Sequence, residues 1–263
     1  MEQKEFKEVI YEKKEGVAKI IMNRPKAYNA FTLTMLREMV LAFEDSELDP
    51  AISVVVLTGA GDKAFCTGGD AKEAEQPGGY PKESDFWHGK LHHVMRSCSK
   101  PTIAAVNGYA IGGGHVLHVL CDLSIASENA NFAQFGPKVG SFDAGFGAAY
   151  LARIVGEKKA REIWFLCRQY KAQEALEMGL VNKVVPQDKL EEEVDNWCKE
   201  ILAKSPYALK FLKKAFNADT DHQWGYEEMA MSACRLYWAT EEAKEAKNSF
   251  IEKREPDFSN VKI

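Results

Sequence analysis

The sequence predicts an α/β fold. Three observations point there: β-branched apolar runs recur along the first two-thirds of the chain, helical patterns follow them, and glycine-bearing turns separate the two. Runs such as "ISVVVLTGAG" (52–61) are β-branched and largely apolar rather than alternating, as in a sheet covered on both faces.

The elements follow in order. "EVIYEKKEGVAKIIMNRP" (8–25) predicts a hairpin turning near Lys14–Gly16, its second strand stopped by Pro25. "TLTMLREMVLAFEDSEL" (32–48) has helical spacing, with Met35, Met39, Leu41 and Phe43 toward one face and Thr32 or Thr34 as cap. A buried strand at 52–61 and a helix over "SDFWHGKLHHVMRSC" (84–98) come next. "KPTIAAVNGYA" (100–110) reads as one strand, "GGGHVLHVLCD" (112–122) as a helix opening on glycines, and "LSIASENANFAQF" (123–135) as two short strands. From Phe146 helices dominate, interrupted by a strand at "LVNKVVP" (180–186). After Ser205-Pro206 the chain predicts one helix over 207–219 and another running through 226–254. A division follows, residues 1–205 as a βα core and 206–263 as a helical region.

A net charge of −5 offers no field for nucleic acid or an anionic membrane. The charged first residues lack the apolar stretch of a secretion signal, and no run reaches a membrane span. Six cysteines without CxxC pairs, most in apolar surroundings, suit buried free thiols in a reducing cytoplasm. His88 and His92 lie four apart on a helix, and His115 and His118 three apart. Neither pair has an HExxH pattern or a further carboxylate nearby, so no metal site is expected. "DAGFGAAY" (143–150) lacks the third glycine, preceding strand and distant acid of a dinucleotide site.

At "NRPKAYNAF" (23–31), "AFCTGGD" (64–70), "NGYAIGGGHVLHVLCDL" (107–123) and "EALEMGLVNKVVP" (174–186) the chain resembles the crotonase, or enoyl-CoA hydratase/isomerase, superfamily. That resemblance implies a spiral of ββα units, a C-terminal helical trimerisation region, and a homo-oligomer, either a trimer or a dimer of trimers. It also implies acyl-CoA thioester substrates, with coenzyme A entering as part of the substrate and no obligatory cofactor. By the same resemblance the amides of Gly69 and Gly113 form an oxyanion hole, with Gly68, Asp70, Lys72 and Gly112 around it. The physical logic is plain: glycine lets a backbone approach a ligand, and a helix opening at Gly113 presents free N–H groups to developing enolate charge. Tight turns alone are the other use of such glycines.

Hydratases of the superfamily carry two glutamates, and the matching positions here are Val116 and Gly136. Neither can exchange a proton, which disfavours hydration. "GPKVGSFDAGFGAAYLARIVGEKKAREIWFLCRQY" (136–170) resembles instead the 1,4-dihydroxy-2-naphthoyl-CoA synthases and the related 2-oxocyclohexanecarboxyl-CoA hydrolases. Both work through a thioester enolate, one forming and the other breaking a carbon–carbon bond. The resemblance then makes Asp143 the acid–base residue at the second carbonyl, Ser141 its neighbour, and Tyr80 a loop tyrosine swung on Gly78-Gly79. Lys253 matches a C-terminal lysine near the site. Gln134 and Gly136 match residues around a bicarbonate that serves many synthases as base, Gly136 and Gly140 leaving room before Asp143. Asp143 is also placed to cap the following helix, and Lys253 to sit on a solvated helix end.

Three positions depart from the synthases: Phe135 replaces a small hydroxyl residue, Ala74 an arginine, and Trp238 a tyrosine, with Tyr237 one residue earlier. One residue along a helix turns a side chain by about 100°, so Tyr237 is no automatic substitute. Losing the arginine removes a partner for a substrate carboxylate. These departures suggest another aromatic or alicyclic acyl group. A crotonase-fold module that binds acyl-CoA without turnover is the non-enzymatic alternative.

Overall fold

A computed structural model describes residues 6–74, 80–259 and 261. Strands β1 (Val9–Lys14) and β2 (Val17–Met22) form the expected hairpin. Glu15 and Gly16 both have positive φ, the backbone a two-residue hairpin turn requires. Helix α1 (Leu33–Leu48) is capped by Thr32, whose Oγ1 accepts the Met35 amide at 3.2 Å. Met35, Met39 and Phe43 are buried, whereas Leu41 is half-exposed.

Strand β3 (Val54–Gly59) is buried along its length. A short strand β4 (Ala64–Cys66) follows, then helices α2 (Ala71–Ala74) and α3 (Glu83–Ser97). The stretch read as one strand at 100–110 is two, β5 (Thr102–Val106) and β6 (Tyr109–Ile111), in different sheets. Gly108 makes the corner; a Cβ there would lie 2.7 Å from the Ala64 nitrogen. Helix α4 (Gly113–Leu120) and strands β7 (Leu123–Ser127) and β8 (Asn131–Ala133) come next.

Helix α5 (Gly136–Val139), a π-helical turn at Phe146–Tyr150, helices α6 (Leu151–Val155) and α7 (Glu157–Leu166), strand β9 (Gln169–Lys171), helix α8 (Ala172–Glu177) and strand β10 (Lys183–Val185) complete the core. One sheet has the order β1-β2-β3-β5-β7-β10 and is parallel from β2 onward; a smaller one has the order β4-β6-β8-β9. The main apolar core lies between the sheets and their helices and includes Phe43, Phe65, Phe132 and Phe146.

Helices α9 (Leu190–Leu202) and α10 (Pro206–Ala218) follow, α10 beginning at the anticipated Pro206 under a Ser205 cap. The helix expected over 226–254 is broken. Helix α11 (Trp224–Trp238) stops, and Thr240 caps α12 (Glu241–Ile251) by accepting the Ala243 amide at 3.2 Å. These last helices lie against the core: α11 packs on α3 and the π turn, and α12 on α5.

Candidate functional site

The site is assembled from two glycine loops and one turn. Phe31 pairs in parallel fashion with Gly69: its N–H donates to the Gly68 carbonyl at 2.8 Å, and its carbonyl accepts the Asp70 amide at 2.9 Å. That pairing leaves the Gly69 N–H on the opposite side, and no acceptor meets it or the Gly113 N–H among the described residues. Gly68 and Gly112 both have positive φ, and a Cβ on Gly68 would lie 3.0 Å from the Gly113 nitrogen. Two strand ends thus bring the two expected oxyanion glycines together with free N–H groups.

Their supports explain other residues. Asp70 is buried; it pairs with Arg24 at 2.7 Å and accepts the Lys72 amide at 2.8 Å, starting α2. Burial pushes its carboxyl up, but the Arg24 contact and the amide bonds outweigh this and hold it below the usual range. Arg24 also donates to the Ala30 carbonyl, and buried Asn29 donates to the Ala60 and Ala64 carbonyls. Gln134, expected beside an anion, donates to the Gly112 carbonyl at 3.3 Å and so braces the oxyanion helix. Lys72 is exposed.

Tyr80 is carried to the oxyanion loop. Its hydroxyl would lie 2.6 Å from a Cβ on Gly69, and its ring is 5.5 Å from the Trp238 ring. Burial, then the carboxylates of Asp70 and Glu73, push its hydroxyl up to about 12, so it stays a donor. The hinge expected at Gly78-Gly79 lies outside the described residues, as does the side chain of Ala74.

The Asp143 turn is the most constrained part. Asp143 Oδ1 accepts the Gly145 amide at 2.8 Å. A Cβ on Gly147 would lie 2.7 Å from the Asp143 carboxyl carbon, and one on Gly145 would fall within the Glu227 side chain, 2.8 Å from its Cα. Glu227, buried on α11, accepts the Phe146 amide at 3.1 Å through Oε2 and contacts His92 Nδ1 at 2.7 Å through Oε1. Burial and then the Glu227 charge push Asp143 up to about 6, partly offset by His92. Burial also pushes Glu227 up, but the His92 charge and hydrogen bond bring it down to about 2. Burial drives His88, whose ring is tilted against that of His92 at 4.4 Å, down to about 3.

Ser141 stands 3.6 Å from the Cys234 sulfur, which donates to the Phe142 carbonyl at 3.2 Å. Tyr237 lies 5.5 Å from the Phe142 ring, so α11 reaches the Asp143 segment through Tyr237 and Tyr80 through Trp238. Lys253 is exposed beside Lys138, Phe250 and Arg254 at a cavity of about 340 Å³, with no hydrogen bond to Asp143 or Ser141 among the described residues.

One expectation needs correction. Gly136 and Gly140 do not leave room: a Cβ on Gly136 would meet the Ser141 carbonyl at 2.6 Å and Trp164 at 3.0 Å, and one on Gly140 the Ala243 carbonyl at 2.5 Å. These glycines permit close packing of backbone and ring. Val116 is buried in the apolar core. Buried His115 and His118 pack on Phe132, and burial lowers both imidazoles. Among the described residues no group of three His, Cys, Asp or Glu could hold a metal. No helix of these residues is long and apolar enough to cross a membrane.

Sequence reasoning gave Arg24 and Glu227 no role and weighed His92 only as a metal ligand. His92 and Glu227 are 135 residues apart, so no local pattern joined them. The signal available was Gly145 and Gly147, whose missing side chains admit the two carboxylates.

Residues 12–261 match the enoyl-CoA hydratase/isomerase family. Among solved structures, the chain is similar to an enoyl-CoA hydratase from Mycobacterium avium subsp. paratuberculosis K-10, at 28% identity and a TM-score of 0.86, covering 97% of this chain and 99% of that one. A carnitinyl-CoA hydratase from Mycobacterium avium is similar at 30% identity, with the same TM-score and coverage. An enoyl-CoA hydratase from Bacillus anthracis matches at 29% identity and a TM-score of 0.77, over 97% of this chain and all of that one.

Proposed function

Because the chain belongs to the enoyl-CoA hydratase/isomerase family, whose members act on acyl-CoA thioesters, we propose that it makes or breaks a carbon–carbon bond through a thioester enolate. The N–H groups of Gly69 and Gly113 hold the enolate oxygen, Asp143 carries the proton, and Tyr80 donates to substrate oxygen. The observation that carries this reading is the Asp143 turn: a carboxyl pushed up to about 6 in a site whose two hydratase carboxylate positions are core Val116 and tightly packed Gly136.

A single proton carrier suits ring opening of a cyclic 2-oxoacyl-CoA, of the 2-oxocyclohexanecarboxyl-CoA type. Asp143 takes a proton from water as the oxygen adds to the ring carbonyl. The bond between that carbon and the carbon α to the thioester then breaks, leaving the enolate at Gly69 and Gly113. Asp143 returns its proton to the α carbon, so one water is consumed and one carboxylic acid forms. Trp238 beside Tyr80 makes this wall apolar, in keeping with an alicyclic acyl group.

The second reading is Dieckmann-type ring closure of o-succinylbenzoyl-CoA, as in menaquinone biosynthesis, favoured by the likeness of residues 136–170 to the naphthoyl-CoA synthases. It needs a further base for the α proton. Bicarbonate is the candidate, on the Gln134 side, since Gly136 has no space along its side-chain direction. Either way we place the enzyme in the cytoplasm as a trimer or dimer of trimers, with exposed Phe211, Phe216 and Leu236 in subunit contacts. Incubation with each acyl-CoA and mass spectrometry of the products tests the proposal. Gain of one water marks opening, and loss of one water marks closure. Full activity in Asp143→Asn overturns the role given to Asp143, and no turnover together with tight acyl-CoA binding overturns the enzyme reading in favour of a binding module.

A further inference from the structure

The proton transfers proposed above give the buried pair of His92 and Glu227 no part, yet it grips the turn that carries Asp143. We infer that His92 and Glu227 are positioning residues that fix the Asp143 turn and set the pH at which Asp143 exchanges its proton. This deepens the reading above and rests on Asp143 being the proton carrier.

The geometry is reciprocal. Within the sequence Asp143-Ala-Gly-Phe-Gly147, the Gly145 amide serves Asp143 and the next amide, Phe146, serves Glu227. Each carboxylate occupies space that a side chain on a neighbouring glycine would need, Glu227 at Gly145 and Asp143 at Gly147. Trp164 donates to the Gly147 carbonyl at 2.7 Å and closes the turn from α7. Two carboxylates therefore share one short backbone segment, and His92 stands on the far side of Glu227 at 2.7 Å. An imidazolium there neutralises a carboxylate that is otherwise buried without a counter-charge, which is costly to leave alone.

The remaining groups around the turn do not replace this pair. From α3, His88 is driven neutral by burial, and Arg96 stacks over Phe146 while bonding Thr220 at 2.8 Å. Asp85 of α3 is paired with Arg235 of α11. Cys234 of α11 gives its thiol to the Phe142 carbonyl, and burial pushes that thiol up, so it is uncharged. Burial lowers the His92 imidazole, but Glu227 outweighs this and raises it above its ordinary value, so it is protonated where Asp143 titrates.

The pair's two members act oppositely on Asp143, which yields a signed test. Glu227→Gln keeps an acceptor for the Phe146 amide but removes the charge that opposes ionisation of Asp143. Buried His92 then loses its partner and becomes neutral. Glu227 outweighs His92 at Asp143, so the Asp143 titration moves to lower pH. His92→Gln leaves the Glu227 charge uncompensated and moves the titration to higher pH. The double variant follows Glu227→Gln.

The titration is read directly by infrared difference spectra of the Asp143 carboxyl against pH, with Asp143→Asn as the blank, and separately as the acidic limb of kcat on the turned-over acyl-CoA. Opposite displacements in the two single variants, with kcat lowered and KM unchanged, support the inference. An unmoved Asp143 titration in Glu227→Gln overturns it, even if His92→Gln fails to fold. Opposite displacements in a protein that turns over neither acyl-CoA would sink the functional reading and leave standing only the hold of the pair on the Asp143 titration. Asp143-dependent turnover with unmoved titrations would do the reverse.

Discussion

Asp143→Asn should stabilise the folded protein at neutral and alkaline pH while abolishing turnover. The carboxyl is pushed from its ordinary 3.8 to about 6, first by burial and then by Glu227. The folded state therefore binds this proton more tightly than the unfolded chain. Stability falls as pH rises from about 4, and the loss is complete above about 6. A displacement of ~2 pH units corresponds to ~3 kcal/mol at most. The side chain retains some contact with solvent, and screening brings this to ~1–2 kcal/mol. Asparagine still accepts the Gly145 amide but never ionises, so the variant avoids the loss. For a chain of this size the difference amounts to about 3–6 °C in Tm. Thermal melts of both proteins at steps from pH 4.5 to 8 measure it. The gap in favour of the variant should widen up to about pH 6.5 and then stay level. A gap that is independent of pH, or one in favour of the wild type at pH 8, would refute an ionisation cost at Asp143.

Gly113→Ala places a methyl 2.7 Å from the Phe31 ring edge at the oxyanion amide, so kcat should fall by about 10²-fold while the protein still folds; steady-state kinetics and circular dichroism check this. Gly114→Ala drives a methyl into Cys66, 2.8 Å from its Cβ and closer still to its backbone carbonyl, and should cost several kcal/mol, read as loss of soluble protein. Tyr80→Phe removes a hydroxyl that stays protonated up to about pH 12, so kcat should drop with no new alkaline limb in the pH profile. Phe211→Asp combined with Phe216→Asp puts charge on an exposed apolar face of α10, and light scattering should show smaller assemblies than the wild type.

Much of the scaffold was legible because its signals are local. The hairpin, the Thr32 cap, the buried β3 run and the glycine opening of α4 each follow from a few adjacent residues. The three-residue strands β4 and β9 were missed because a strand that short has almost no periodicity to read. The break between α11 and α12 was missed because Trp238–Ala246 keeps helical composition, although Thr240 followed by two glutamates is a cap signature. Gly69, Gly113 and Asp143 stood out as glycine or acid in a motif. Their supports did not: Arg24 reaches Asp70 across 46 residues of chain, and His92 reaches Glu227 across 135.

Gly136 and Gly140 were read in the wrong sense, and the reason bears on function. A glycine in sequence suggests open space, but at positions 136 and 140 the space is taken by a carbonyl or a ring, as it is by a carboxylate at 145 and 147. Absence of a side chain here measures how closely something else approaches. The distinction separates two accounts of the same turn. If Gly136 faced an empty cavity, a bound anion would be the natural base and Asp143 an accessory. With Gly136 packed on Ser141 and Trp164, and with Gly145 and Gly147 packed on Glu227 and Asp143, the turn is built around its own carboxylates. That packing supports the proposed chemistry, in which one of them carries the proton and the other sets its proton affinity.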